Sequence, residues 1–225
     1  EPKVIENISL NGVANIKRLA ELIDRAFGTF LIACGSASYS AIGATYLFSK
    51  IAKKHVNFAI GSEFKYIEDF VTPKTLVIPI SQSGESIDVI EPITRVKNQK
   101  GAKIAAIVNV LGSTLYRISD FKILLESGPE KAVVATKSFI AMLAVLILTA
   151  YTLAGKQDKG RVLLKEAAKN VRQILSDTYI SKVKLLAQKL AKSEHIYIIG
   201  RGLSYTAALE ASLKIKEATY IHAEA

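Results

Sequence analysis

The sequence is poor in the residues that build disulfide frameworks and metal clusters. It has one cysteine, three histidines, five prolines and no tryptophan among 225 residues. The single cysteine, Cys34, excludes an internal disulfide framework and a cysteine-based zinc cluster. The histidines are scattered and no G-x-G-x-x-G motif occurs, so we expect neither a metal nor a dinucleotide cofactor. The N-terminus lacks the regions of a signal peptide, which favours a reducing cytoplasm.

The charge is basic without being concentrated. Lys and Arg number 30 against 20 Asp and Glu, giving a formal net charge of +10, while half of the residues are apolar. This composition is typical of a globular protein with a core. The basic residues form no dense arm and are not interleaved with aromatic residues. A small anionic ligand is therefore favoured over nucleic acid as the partner.

One uncharged run is open to two interpretations. Residues 138–155 contain no charged side chain and are mostly apolar. Their length is at the lower edge of what spans a bilayer. Hydroxyl side chains dilute the run and no second run accompanies it, so we expect a buried helix packed on a sheet and no membrane contact.

Short apolar runs alternate with helical patterns along the first two thirds of the chain. A helix is predicted at 12–27, and further helices at 38–53 and about 85–99. Short apolar segments of this kind are typical of buried parallel strands. The fold class is therefore α/β, a three-layer sandwich with a five-stranded parallel sheet. The predicted strands are residues 29–34, 56–60, 75–80, 103–109 and 121–125.

An internal repeat follows a polar break at residues 155–160 and a lysine-rich helical stretch at 161–192. Residues 196–216 match residues 30–50 at an offset of 166, and after a five-residue shortening residues 221–224 match 60–63. We therefore expect a first domain at 1–157, connecting helices at 158–192 and the start of a second, truncated domain at 193–225. The alternative is a chance match of small residues.

The loop that follows the third strand has the composition of a phosphate site. Ser81, Gln82, Ser83 and Ser86 surround Gly84 between a strand and a helix. Backbone N–H groups at a helix start carry partial positive charge, and the side chains add neutral donors. A serine-rich helix cap with no ligand explains the same residues equally well.

A second group of polar residues shares one face of a predicted helix. Glu210, Lys214 and Glu217 are spaced four and three apart, which places them together. A surface salt-bridge cluster is the simpler reading. The functional alternative is a carboxylate, tuned by a lysine, that moves a proton between carbons.

These segments, taken together, resemble the sugar isomerase (SIS) domains of the glutamine–fructose-6-phosphate aminotransferase family over nearly the whole chain. The resemblance implies a flavodoxin-like SIS fold and a sugar-phosphate ligand. It also implies a glutaminase domain on the same full-length chain and a homodimer. The matching segments are CGSAS (34–38), SEFKY (62–66), ISQSGES (80–86), GPEKAVVATKSF (128–139) and ALEASLKIKEATYIHAEA (208–225).

The resemblance also assigns roles. The serine loop would hold the phosphate of fructose 6-phosphate, and Glu217 would shuttle a proton between sugar carbons C1 and C2, supported by Lys214 and Glu210. Ser36 and the backbone around Val133 match sugar contacts. This sequence departs from the family at Ala37 and Ala135, where hydroxyl side chains are usual, and at Ser86, where threonine is usual.

Three functions remain open at this stage. The first is the isomerase portion of a glutamine-dependent aminotransferase, which would be incomplete on its own. The second is a stand-alone deaminase or isomerase of amino-sugar phosphates. The third is a non-catalytic module that senses sugar phosphates. The segment IHAEA at 221–225 favours the first.

Overall fold

The central element of the fold is a sheet of five strands in the order β2-β1-β3-β4-β5, in which every neighbouring pair is parallel. The computed structural model describes residues 1–225. The five-stranded parallel sheet predicted from the apolar runs is confirmed, and the strand bounds differ from the prediction by at most one residue. The strands are β1 (Gly28–Ala33), β2 (Asn57–Ile60), β3 (Thr75–Ser81), β4 (Lys103–Val108) and β5 (Phe121–Leu124).

Helices cover both faces of this sheet, which completes the three layers. Side chains alternate between the two faces, so in β1 Leu31 packs into one core and Ile32 into the other. The helices are α1 (Pro2–Asn11), α2 (Val13–Arg25), α3 (Ser36–Leu47), α4 (Gly61–Phe64), α5 (Ile87–Lys100), α6 (Thr114–Ile118), α7 (Lys137–Leu153) and α8 (Gln157–Ile174). One core lies under α1, α2, α3, α7 and α8, and the other lies under α4, α5 and α6.

The uncharged run forms α7, a helix packed against the sheet. Ten of its seventeen residues are buried, among them Ser138 and Thr149. It contacts α1, α2, α3 and α8. The prediction of a buried helix is therefore confirmed. None of the helices combines the length and apolar character that crossing a membrane requires.

The sequence reasoning missed the first helix and placed the start of α8 too late. Helix α1 buries Val4, Ile5 and Ile8, and Arg172 on α8 donates a hydrogen bond to Glu6 at 2.6 Å. Residues 155–160 were expected to be a polar break, but α8 begins at Gln157. The first turn of α8 is polar and resembles a loop in sequence. The apolar side chains that this helix buries, Leu164 and Ala168, lie further along it.

A second, two-stranded parallel sheet follows the connecting helix α9 (Asp177–Leu190). It pairs β6 (His195–Tyr197) with β7 (His222–Glu224), and α10 (Leu203–Thr219) joins them. A repeated strand–helix–strand unit is thus present.

The structural spacing of the repeat corrects the sequence alignment. Partners in β1 and β2 lie 27 residues apart, as Phe30 and Asn57 do, and so do partners in β6 and β7. Gly35 and Gly202 cap α3 and α10 with φ of 56° and 57°. The offset between these glycines is 167, not 166, and no five-residue shortening occurs. Matching small side chains along both helices made the shifted alignment look correct.

Helix α10 is held by packing on α3 of the first unit. It buries Thr206, Ala208, Glu210 and Ser212. At Gly43 on α3, an added Cβ would lie 3.2 Å from Cγ2 of Thr206. The absence of a side chain at Gly43 therefore permits the close approach of the two helices.

We predict that Gly43→Leu separates α10 from α3. Overpacking of this kind costs about 1–3 kcal/mol. Hydrogen exchange should accelerate along α10 while β3 stays protected. Gly28→Ala is the control, because a Cβ there meets nothing within 4 Å. Unchanged exchange along α10 in Gly43→Leu would contradict this packing.

Candidate functional site

The carboxyl ends of the parallel strands meet at one edge of the sheet, and a cavity of about 180 Å³ opens there. The loops after β1 and β3 form two of its walls, and the start of α7 forms the third. Its polar lining consists mostly of hydroxyl groups. The lining residues are Cys34, Ser36, Ala37, Ile80, Ser81, Gln82, Ser83, Ser86, Ala135, Ser138, Phe139 and Met142.

The serine loop, residues 81–86, is folded by its own hydroxyl groups. The Ser81 hydroxyl accepts a hydrogen bond from the Gly84 backbone N–H at 3.0 Å and lies 3.3 Å from the Ser86 hydroxyl. The Ser83 hydroxyl accepts from the backbone N–H of Glu85 at 3.1 Å. These bonds turn the loop around the cavity and collect three hydroxyl groups within six residues.

Helix α5 begins at this loop without a side-chain cap. Ser86 occupies the cap position, but its side chain makes no capping hydrogen bond and instead faces Ser81. The first backbone N–H groups of a helix have no partner within the helix. This geometry counts against a serine cap as the purpose of the loop. It leaves the positive end of α5 available to an anion.

The far side of the serine loop is pinned to α6. Gly84 has φ of 68°, and an added Cβ would lie 2.1 Å from the Ser113 hydroxyl oxygen. The Leu115 N–H donates to the Gly84 carbonyl at 3.0 Å. Thr114 donates its backbone N–H to Glu85 at 2.7 Å, and hydrogen bonding to Thr114 lowers the pKa of the Glu85 carboxyl. The loop is therefore fixed before any ligand arrives.

The carboxylate of Glu130 occupies the N-terminus of α7, where the helix dipole is positive. One oxygen of Glu130 accepts hydrogen bonds from the Thr136 N–H at 3.1 Å and from the Ser138 N–H and hydroxyl at 2.8 Å. Burial opposes ionisation of this carboxyl, but the hydrogen bonds from Ser138 and Thr136 prevail and lower its pKa. Because Glu130 already supplies an anion at α7, this helix start is filled.

Five of the six predicted substrate contacts line the cavity. These are Ser36, Ser81, Gln82, Ser83 and Ser86. Val133 is 95% exposed and is not among the lining residues, whereas Ala135 of the same loop is. The sequence reasoning did not select Ser138, Phe139 or Met142. Their place at the start of the helix after β5 is the signal that could have found them.

The predicted polar trio on α10 is present. The ammonium nitrogen of Lys214 lies 2.6 Å from Oε2 of Glu217 and 3.6 Å from Oε1 of Glu210. The side chains of these three residues are 21%, 33% and 10% exposed, respectively. The trio is therefore partly buried and not a fully solvated surface cluster.

Glu210 is the most unusual member of the trio. Neither of its buried carboxylate oxygens has a hydrogen-bond partner. Burial raises the pKa of Glu210 above its ordinary value of 4.5, while the nearby Lys214 ammonium and Ser36 hydroxyl oppose this shift. Ser36 also lines the cavity. It therefore lies between the serine loop of the first unit and the charged trio of α10.

A protein-family model matches most of the chain. The family model described as "SIS domain" matches residues 22–151 and 189–225. The chain therefore belongs to the SIS domain family.

Curated relatives narrow the comparison further. The chain is 32% identical over 228 residues to glutamine–fructose-6-phosphate aminotransferase [isomerizing] from Clostridium perfringens, a match that covers 98% of this chain and 36% of the relative. It is 36% identical to the protein of the same name from Thermococcus kodakarensis, covering 100% of this chain and 38% of that relative. The chain thus spans less than two fifths of the length of these relatives.

A solved structure supports the same likeness. The C-terminal domain of glucosamine-fructose-6-phosphate aminotransferase from Francisella tularensis is 30% identical, with a TM-score of 0.86. The match covers 100% of this chain and 66% of that one.

We predict that Glu210→Gln stabilises the chain at neutral pH. A carboxyl whose pKa is raised on folding favours the folded state below its unfolded pKa, and that contribution is lost as pH rises through the folded pKa. The variant should therefore have a larger free energy of unfolding than the wild type at about pH 7, and the difference should shrink below about pH 4.5. Urea denaturation across this pH range measures the free energy of unfolding of the variant and of the wild type. An identical pH dependence of the two proteins would contradict the unfavourable burial of this charge.

Proposed function

We propose that this chain is the sugar isomerase portion of a glutamine-dependent aminotransferase. In this function, fructose 6-phosphate and ammonia derived from glutamine give glucosamine 6-phosphate and water. The observation that carries the proposal is the serine loop, with its three hydroxyl groups and the uncapped start of α5 around one cavity. That set of donors is suited to a phosphate group.

The phosphate end of the substrate would bind between Ser81 and Ser86. The hydroxyl groups of these residues and of Ser83, together with the α5 N–H groups, supply neutral donors, and no lysine contributes to the lining. Ser36 would contact the sugar from the α3 side. The backbone near Val133 would reach the sugar from the opposite side only if the exposed loop moves inward, so this contact rests on the family resemblance alone.

Glu217 would act as the base of the isomerisation. Ammonia adds to the C2 carbonyl of the open sugar with loss of water, and the base then takes a proton from C1 and returns one to C2. Lys214, 2.6 Å from Glu217, would hold the carboxylate in place. Glu210 would restrain Lys214 from the other side, at 3.6 Å.

The remaining parts of the proposal rest on the internal repeat and on the family resemblance. We place a first domain at 1–157, connecting helices at 158–192 and the start of a second domain at 193–225. A glutaminase domain on the same full-length chain would supply ammonia, and the protein would act in the cytoplasm as a homodimer without nucleic acid. A stand-alone deaminase or isomerase would use the same cavity. A purely sensing module would have no use for the Lys214–Glu217 pair.

We predict that removing hydroxyl groups from the serine loop weakens binding of fructose 6-phosphate. Each charge-assisted hydrogen bond contributes about 1.5–3 kcal/mol, so Ser83→Ala should lower affinity roughly ten- to hundredfold. Calorimetry on the chain measures this, with Ser181→Ala on the exposed face of α9 as the control. Unchanged affinity in the Ser81→Ala, Ser83→Ala double variant would refute the phosphate assignment.

We predict that Glu217→Gln in the complete polypeptide abolishes most of the isomerisation. The loss of a general base lowers the rate by about 10² to 10⁴, while phosphate binding stays intact. Exchange of the C1 proton with deuterated solvent, followed by NMR, measures the step separately from glutamine hydrolysis. Glu166→Gln on α8 is a matched, exposed control. An isomerisation rate equal to that of the wild type would leave the trio as a salt-bridge cluster only.

A further inference from the structure

Asn109 connects two loops of the site without lining the cavity. It follows β4 directly, so it lies at the same edge of the sheet as the serine loop. Its backbone N–H donates a hydrogen bond to the Gln82 carbonyl at 3.2 Å. One side of Asn109 is thereby fixed to the loop that carries the three hydroxyl groups.

The side chain of Asn109 forms hydrogen bonds to the start of the β5–α7 loop, residues 125–136. Its Oδ1 accepts hydrogen bonds from the Ser127 N–H at 3.0 Å and from the Ser127 hydroxyl at 2.9 Å. Its Nδ2 donates to the Gly128 carbonyl at 2.9 Å. Only a side-chain amide offers an acceptor and a donor at this spacing, since an aspartate would place an oxygen against the Gly128 carbonyl.

The segment that is hydrogen-bonded to Asn109 contains residues with positive φ, a conformation that surrounding contacts must stabilise. Glu126 has φ of 50° and Gly128 has φ of 72°. The left-handed conformation is uncommon for a residue with a Cβ, and it persists where surrounding contacts fix it. The three hydrogen bonds to Ser127 and Gly128 fix the turn at its centre.

The other end of the same loop is fixed independently. Glu130 binds Thr136 and Ser138, and the Lys137 ammonium donates to the Pro129 carbonyl at 2.6 Å. Between the two anchors, residues 131–135 carry no side-chain hydrogen bond to the rest of the molecule, and Ala135 lines the same cavity as the serine loop. Asn109 is the direct hydrogen-bonded link between the two walls.

We propose that Asn109 is a positioning residue that sets the distance between the phosphate-binding serine loop and the sugar-facing part of the β5–α7 loop. This inference rests on the proposed function, because it assumes that a sugar phosphate bridges the two walls. The distance between the serine loop and the β5–α7 loop then determines which length of sugar phosphate fits the cavity. Inorganic phosphate needs only the serine loop, which the backbone hydrogen bond from Asn109 continues to hold in a side-chain variant.

The test measures by calorimetry how tightly the wild type and Asn109→Ala bind three ligands, namely fructose 6-phosphate, ribulose 5-phosphate and inorganic phosphate. Affinity for fructose 6-phosphate should fall about tenfold, while affinity for inorganic phosphate should change by less than about twofold. The preference for fructose 6-phosphate over ribulose 5-phosphate should narrow. Asn109→Asp should also lower the affinity for fructose 6-phosphate. Ser127→Ala removes only one hydrogen bond to Asn109 and should lower this affinity less. Asn170→Ala on α8 is the exposed control.

The outcomes separate the two proposals. If the wild type binds inorganic phosphate but not fructose 6-phosphate, the proposed function fails and the inference fails with it. If the wild type binds fructose 6-phosphate and Asn109→Ala binds it equally well, only the inference fails. Parallel weakening of all three ligands also overturns it, because that indicates a collapsed serine loop. Thermal unfolding identifies a variant that does not fold, and Ser127→Ala then carries the comparison.

Discussion

The parallel direction of all five strands is the constraint on which the site depends. Parallel pairing requires each strand to be followed by a crossover, and these crossovers return the chain so that every strand ends at the same edge. The loops after β1, β3, β4 and β5 therefore meet, although the serine loop and Ala135 are about fifty residues apart in the chain. An antiparallel strand in the middle of the sheet would remove one of these walls.

The same crossovers bring several helix starts to this edge, and those of α3, α5 and α7 are not equivalent. Helices α3 and α5 begin without a side-chain cap, at Gly35 and Ser86. The start of α7 is occupied by the Glu130 carboxylate. Among these three helix starts only that of α7 holds an internal carboxylate, so those of α3 and α5 are the ones left open to an external anion. The start of α7 is therefore not available to a second anion.

Features encoded locally could be predicted from the sequence, and features that need tertiary contacts could not. The strand at 75–80 is a mostly apolar run and the serine loop follows it directly, so the strand and the position of the loop in the fold could both be predicted. Asn109 carries no local signal, because its hydrogen-bond partners Ser127 and Gly128 lie 18 and 19 residues further along the chain. Val133 matches a family contact in sequence but is exposed, since local identity does not fix the path of a loop.

The contact between α3 and α10 joins the cavity to the charged trio. Gly43 lets the helices approach closely, and this packing buries Glu210 against the start of α3, near Ser36. A carboxylate that is buried without a hydrogen-bond partner is destabilising, so its position requires the favourable packing around it. Ser36 is both a wall of the cavity and a neighbour of Glu210. A ligand that shifts Ser36 would therefore alter the environment of Glu210 and, through Lys214, that of Glu217.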